Sequence, residues 1–381
     1  MLKSYLLSPG PTPVPERVLL AMAQPIIHHR TPQFSAVFAD TAERLKKVFH
    51  TKQDVLILAS SGTGAMEAAV TNSFSVGEKV LVVNGGKFGE RWGKIAEAYG
   101  LKVVWLNIEW GKAVTAEAVK AELDKDKEIK GVLMQATESS TTVKYPVKEI
   151  AEVTKTRDIL LVVDGITGVG VFDIPMDDWG VDILISGSQK AFMLPPGLAF
   201  IALSDRAWKK VDGAKNNKFY FDLKKERKNL ADKTTAYTPA VSLINGLQEV
   251  LNMFDEIGLD NWYKRTALLA KAAQAGTAAL GLKMVTDSPS EAKTGVFLPE
   301  GVDGNKLVKV LRDKVGITFA GGQDQWKGKI IRIAQLGYIG EFDIVIALSS
   351  IEMGLSRFGA KVEMGKGVAA VQEVLKNSFE V

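Results

Sequence analysis

Four stretches of this 381-residue sequence each place groups capable of chemistry directly after an apolar run. In SGSQKAF (186–192), Lys190 lies between the apolar runs VDILI and LAFIAL, with Ser, Gly and Gln as neighbours. A partly dry pocket disfavours an ammonium, and a neutral amine can form a Schiff base with an aldehyde. Most lysines, however, are only solvated surface groups. In LLVVDGITGVG, Asp164 ends a very apolar strand. A carboxylate is costly to bury unpaired, so it should meet a cation or a strong donor, unless it merely caps the next turn. In SSGTGAMEAA, Ser60, Ser61, Gly62, Thr63 and Gly64 follow a strand and open a helix. Backbone N–H groups and hydroxyls at such a start form a phosphate cradle, although a plain N-cap turn uses the same residue types. The stretch matches neither the Walker lysine pattern nor the dinucleotide glycine fingerprint, which makes a nucleotide the weaker ligand. In QATESSTT, Glu138, Ser139, Ser140 and Thr141 crowd a fourth strand end, where caps and turns would account for them.

Jointly these ends supply a phosphate cradle, a buried acid and an amine. Pyridoxal phosphate needs those three: a helix N-terminus for its phosphate, a carboxylate for its ring nitrogen and a lysine for its aldehyde.

The elements that must position these groups are legible in the periodicity. Short β-rich runs at 55–60, 79–84, 102–108, 131–137, 159–164, 182–186 and 198–203 alternate with amphipathic stretches such as GAMEAAVTNSF, ERWGKIAEAYG and TAEAVKAELDKD. That rhythm predicts an α/β fold whose mostly parallel seven-stranded sheet lies between helices, with ligands beyond the carboxyl ends of the strands. The short connection between the last two runs predicts an antiparallel strand or an edge feature there. A helical tract from about 240 to 281, interrupted near Gly258, leads into a smaller C-terminal α+β domain. It comprises a strand pair (KTGVFLPE, KIIRIAQLG) and three helices. The expected division is an N-terminal segment 1–15 that contributes to the active site, a large domain 16–255 and a small domain 256–381.

Composition excludes several functions. With 46% hydrophobic residues the chain can bury a large core. Its formal charge of +4 is spread over 48 basic and 44 acidic residues without a long single-sign block, which argues against nucleic acid and anionic membranes as partners. No apolar run approaches the ~18 residues of a membrane span. Prolines break MLKSYLLSPGPTPVP before a signal-peptide core could form, so a cytoplasmic location is expected. Cysteine is absent, removing disulfides, thiolate metal sites and cysteine nucleophiles, and three histidines leave little from which to build a metal site.

The ordered set PGPTPVPERVL, SSGTGAMEAA, NGGKFGERW, ATESSTTV, VVDGITGVG, SGSQKAFMLPPG, TAYTPAVSLI and KIIRIAQLGY covers nearly the whole chain. In it the sequence resembles the class V (fold type I) pyridoxal-phosphate aminotransferases, within them the alanine–glyoxylate and serine–glyoxylate/pyruvate group. The resemblance makes Lys190 the Schiff-base lysine and catalytic base, and Asp164 the partner of the ring nitrogen. It sets Ser61, Gly62 and Thr63 on the phosphate turn, Phe88 against the cofactor face, Ser139 near the ring oxygen and Gln189 near the phosphate. Tyr237 and Thr238 fall in the segment that reaches the neighbouring subunit's phosphate, which implies a homodimer with shared active sites. Arg332 matches the arginine that clamps the substrate carboxylate, a role suited to its planar fork. Gly10 also falls on the substrate side, and His29 and Arg30 match a loop near the substrate.

The activity implied is transfer of an amino group from alanine or serine to glyoxylate or pyruvate. Alternatives are a 2-aminoethylphosphonate or phosphoserine transaminase and a non-catalytic hydrogenase-associated subunit. Cysteine desulfurase chemistry is excluded for want of a cysteine. One departure stands out: Thr142 occupies a position where the family commonly has glycine.

Overall fold

The computed structural model describes residues 3–378. Across its main sheet the strands run Val55–Leu58, Ala199–Leu203, Ile183–Gly187, Leu160–Asp164, Ile129–Gln135, Lys79–Asn84 and Lys102–Asn107. Side chains alternate between the faces of a strand, and both faces here are apolar. Leu161 and Val163 enter one core with Phe34, Leu45 and Phe200, while Leu160 and Val162 enter the other with Met66, Val70 and Trp92. Helices Gly62–Ser73 and Lys87–Ala98 bury their apolar faces in the second core.

Ala199–Leu203 is antiparallel to both of its neighbours, as its short connection predicts. It is not an edge strand: Val55–Leu58 covers its outer side, and the edges are Val55–Leu58 and Lys102–Asn107. The run AFIAL is buried throughout, which suits an interior strand and leaves no polar face for an edge.

The helical tract breaks at Gly258, whose φ of 80° suits glycine. Val241–Ile257 packs on Glu16–Met22 and Pro32–Phe49, whereas Leu259–Ala279 packs on Lys366–Leu375 and Glu341–Arg357. The expected strand pair is a three-stranded antiparallel sheet with Ile330–Ala334 between Lys293–Phe297 and Ala320–Gly321. Lys293 pairs with Ala334 and Gly295 with Arg332, so these four residues share one face. Helix Gly304–Val310 continues into a π turn at Leu311–Val315. Tyr5–Leu6 runs parallel to Ile317–Thr318 and ties the N-terminal segment to this region.

Candidate active site

Lys190 stands in the loop between Ile183–Gly187 and Ala199–Leu203. Ser188 staples that loop: its hydroxyl accepts from the Leu198 amide (3.1 Å) and donates to the Pro195 carbonyl (2.8 Å). The N-terminal segment closes over it. Lys190 Nζ donates to the Pro9 carbonyl at 2.5 Å, and Thr12 Oγ1 donates to the Lys190 carbonyl at 2.9 Å. A Cβ on Gly10 would stand 2.0 Å from Nζ, so any side chain there would displace the amine. Burial pushes the Lys190 ammonium down to about 8; Asp164 opposes this, while Arg332 and Arg91 add to it.

Asp164, 5% exposed, accepts a hydrogen bond from the Ile166 amide at 2.8 Å and has no other side-chain partner among the described residues. Burial pushes its carboxyl up to about 6; the Ile166 amide lowers it, Glu138 raises it, and Arg91 and Lys190 lower it. The cation expected for so buried an acid is not bonded to it.

The turn at Ser61 begins helix Gly62–Ser73 without a side-chain cap, and Ser61 itself is exposed. The Gly62 and Thr63 amides therefore have no intrahelical acceptor, whereas the Gly64 amide donates to the Ser61 carbonyl at 2.9 Å. A Cβ on Gly187 would meet Gln189 Oε1 at 3.3 Å and the Gly62 nitrogen at 3.6 Å, so these groups converge. Gln189 Oε1 is buried without a hydrogen-bond partner. On the same side Arg91 Nη1 donates to Thr63 Oγ1 at 3.3 Å, and its guanidinium lies 4.8 Å from the Phe88 ring centroid.

Glu138 holds Phe88 in place. Its buried carboxylate accepts from the Phe88 amide (3.1 Å), the Gly89 amide (3.0 Å) and the Ser140 hydroxyl (2.6 Å), capping helix Lys87–Ala98. Arg332 reaches across from the small sheet. Its Nε donates to the Gly321 carbonyl (3.0 Å) and its Nη1 to the Ser139 carbonyl (2.5 Å). Burial lowers this guanidinium to about 10, opposed by Glu138. Ser139 Oγ lies 2.9 Å from Thr167 Oγ1. Thr142 adopts a φ of 61°, unusual for a β-branched residue, and a Cβ on Gly295 would meet its Cγ2 at 2.7 Å. Gly295 thus provides the space that Thr142 fills.

Contacts link these residues near the carboxyl ends of the strands: Gly10 with Lys190, Gln189 with Gly62 beside Ser61, Thr63 with Arg91 and through it Phe88, and Ser139 with Arg332, while Asp164 and Arg332 act electrostatically on Lys190. Tyr237 and Thr238 line a different pocket with Ile57, Phe221 and Glu226, and the Tyr237 hydroxyl donates to the Phe219 carbonyl at 2.9 Å. Arg30 Nη1 donates to the Thr235 carbonyl at 3.1 Å, joining the His29–Arg30 loop to that segment. Sequence reasoning missed four contributors: the Pro9 carbonyl, Arg91, Thr167 and Lys293. Arg91 carried a signal, since it lies three residues after Phe88 on one helix face. Pro9 and Thr167 lie within the quoted stretches PGPTPVPERVL and VVDGITGVG, whereas Lys293 carried no signal.

Two observations fit pyridoxal phosphate: the partnerless Gln189 oxygen beside the uncapped Gly62 turn, and a buried carboxyl and amine that both retain free bonding capacity. The family model for aminotransferase class V matches residues 4–328. The chain belongs to the class V aminotransferase family, and its seven-stranded and three-stranded sheets have the fold type I arrangement.

Among its relatives, the small subunit of a soluble hydrogenase from Synechococcus sp. is 40% identical, covering 99% of each chain. An L-aspartate–glyoxylate aminotransferase from Paracoccus denitrificans is 37% identical over 96% of this chain and 94% of that one. A serine–glyoxylate aminotransferase from Methylorubrum extorquens is 36% identical over 99% and 97%. The crystal structure of ureidoglycine–glyoxylate aminotransferase from Bacillus subtilis superposes with a TM-score of 0.95 at 29% identity, covering 99% of both chains.

Proposed function

We propose that this protein is a pyridoxal-phosphate-dependent aminotransferase that passes the amino group of a small amino acid, alanine or serine, to glyoxylate or pyruvate. The observation that carries this reading is three incomplete groups at one sheet edge: the Lys190 amine lowered to about 8, the Asp164 carboxyl without a cation, and the uncapped turn at Gly62. Glyoxylate stands in the names of the three aminotransferase relatives, while their donors differ. The N-terminal segment seated against Lys190 favours a small donor side chain.

When bound, pyridoxal phosphate supplies an aldehyde for amines and an electron-poor ring that acidifies the Cα–H of an attached amino acid. Ser61, Gly62 and Thr63 would hold its phosphate, with Gln189 and Arg91 beside them. Asp164 would keep a proton on the ring nitrogen, Phe88 would lie against the ring face, and Ser139 would donate to the ring oxygen. Lys190, once neutral, removes the proton from the substrate Cα and redelivers it. Arg332 binds the substrate carboxylate, and Gly10 leaves room for it to approach Lys190. Tyr237 and Thr238 would serve the partner's phosphate in a cytoplasmic homodimer, a reading supported by exposed Leu20, Ile26 and Phe219. The change of packing partners at Gly258 supports a domain boundary near 255.

The test is spectral. Protein mixed with pyridoxal phosphate should develop a visible band that L-alanine or L-serine removes and glyoxylate restores. Arg332→Ala should keep the band yet lose about 2–4 kcal/mol of apparent donor affinity, with little recovery in Arg332→Lys. Absence of a response to any amino acid would overturn the proposal in favour of a non-catalytic role, which the hydrogenase-named relative motivates.

A further inference from the structure

Lys293 is a lysine with 0% exposure, and the proposed reaction does not use it. Its Nζ donates to Thr137 Oγ1 at 2.9 Å. From there a file of hydroxyls continues: Thr137 Oγ1 lies 2.5 Å from Thr167 Oγ1, which lies 2.9 Å from Ser139 Oγ. All three hydroxyl residues are buried, and the file ends beside Arg332, which binds the Ser139 carbonyl.

The direction of such a file is set at its end. Lys293 Nζ is the donor at that end, and each hydroxyl has a single proton. Thr137 must therefore accept from Lys293, and its own proton goes to Thr167 Oγ1 at 2.5 Å rather than to the Thr167 carbonyl at 3.4 Å. Thr167 then donates to Ser139. Ser139, already accepting, has its proton left for an acceptor in the opening.

We infer that Lys293 is a positioning residue: by donating to Thr137 it orders the hydroxyls of Thr137, Thr167 and Ser139 in one direction and commits Ser139 to donate to the cofactor's ring oxygen. This inference rests on the cofactor reading above. The small sheet supports it, because Lys293 and Arg332 share a face and reach Thr137 and Ser139, two residues apart on the facing segment. Burial holds the Lys293 amine well below its ordinary value; Lys190 and Arg332 push the same way, while Glu138 and Asp164 oppose. In either charge state the amine keeps an N–H for Thr137.

The experiment is a pH titration of the visible absorption of the pyridoxal-phosphate-loaded protein, in wild type, Lys293→Met, Thr137→Val and the double variant. A ring oxygen without its committed donor is a stronger base and holds its proton to higher pH. Each single variant should therefore move the midpoint up by roughly half to one unit. The double variant should move it no further, because both changes cut one file. Unmoved midpoints in both singles, or shifts that add, would overturn the relay. Altered thermal stability with an unmoved midpoint would mean a purely structural role. Should Lys293→Met fail to fold, Thr137→Val and Thr167→Val carry the same test. A wild type that takes up no cofactor would overturn the cofactor reading and the relay together; a loaded wild type with unresponsive variants would overturn the relay alone.

Discussion

Two buried aspartates flank the same sheet and are treated in opposite ways. Asp182, 2% exposed, precedes strand Ile183–Gly187. It accepts from the Leu161 amide (2.8 Å), the Ser204 hydroxyl (2.9 Å) and Arg206 Nε (2.8 Å), with a further bond from Arg206 Nη2. Asp164, at the carboxyl end of the adjacent strand, is 5% exposed and has one amide donor. Both carboxylates are buried, but only Asp182 is bonded to a cation. A completed carboxylate clamps structure, whereas an incomplete one keeps bonding capacity for a ligand. The same contrast separates Arg206, spent on Asp182 and on carbonyls including Arg157 at 3.0 Å, from Arg332, whose Nη2 makes no hydrogen bond among the described residues.

The largest effect that tests this contrast should come from Lys190→Ala. It removes the amine placed to act as base, so amino transfer should fall by at least about 10³-fold while circular dichroism stays native. Borohydride reduction of the loaded wild type should fix the pyridoxyl group on Lys190, and mass mapping to another lysine would reassign the site.

Next in size is the aspartate pair itself. Asp182→Ala strands Arg206 and the Leu161 amide, and should cost about 3 kcal/mol in urea unfolding with little change in the kinetics of the folded enzyme. Asp164→Asn should do the reverse. The folded-state pKa of Asp164 lies above its unfolded value, so at pH 7 its ionisation weakens the cofactor-free fold, and that penalty vanishes as pH falls from about 6 toward 4. Asn should therefore cost no stability at pH 7 yet reduce amino transfer on the order of 10²-fold. Equal stability losses in the two variants would erase the distinction.

A smaller effect concerns pH. With its ammonium lowered to about 8, Lys190 is neutral above that value. The rate at which cofactor-free protein captures pyridoxal phosphate should therefore rise about tenfold per unit below pH 8 and level off above it. A rate still climbing at pH 10 would mean that the lysine keeps its ordinary basicity.

The smallest effect lies where Thr142 meets Gly295. Gly295→Ala should be destabilising by about 1–3 kcal/mol, because its Cβ would stand 2.7 Å from Thr142 Cγ2. Thr142→Gly should restore most of that loss, relieving the clash and the φ of 61° together. Additive thermal shifts in the double variant would show that the two sites do not touch.

Strand positions and the groups at their ends were legible because apolar runs and their polar terminations are local features. The antiparallel alternative for Ala199–Leu203 held, but its interior place was not legible, because strand order depends on which segment returns beside it, and Val55–Leu58 lies far away in sequence. Phe88 and Arg332 needed family resemblance, since an aromatic residue on a helix and an arginine in a strand have ordinary packing roles.

By itself the sequence determined the alternation of strands and helices, the chemical types at the strand ends and the absence of cysteine chemistry, all properties of composition and short-range pattern. Only the tertiary structure decided which of those groups are left incomplete. Asp164 and Asp182 are the same residue type in similar apolar settings, and what separates them is whether Arg206 or an open edge comes alongside. Lys293 looks like any strand lysine until Thr137 and Thr167 close over it. Burial and hydrogen-bond satisfaction depend on residues distant in sequence, so they exist only once the chain has folded.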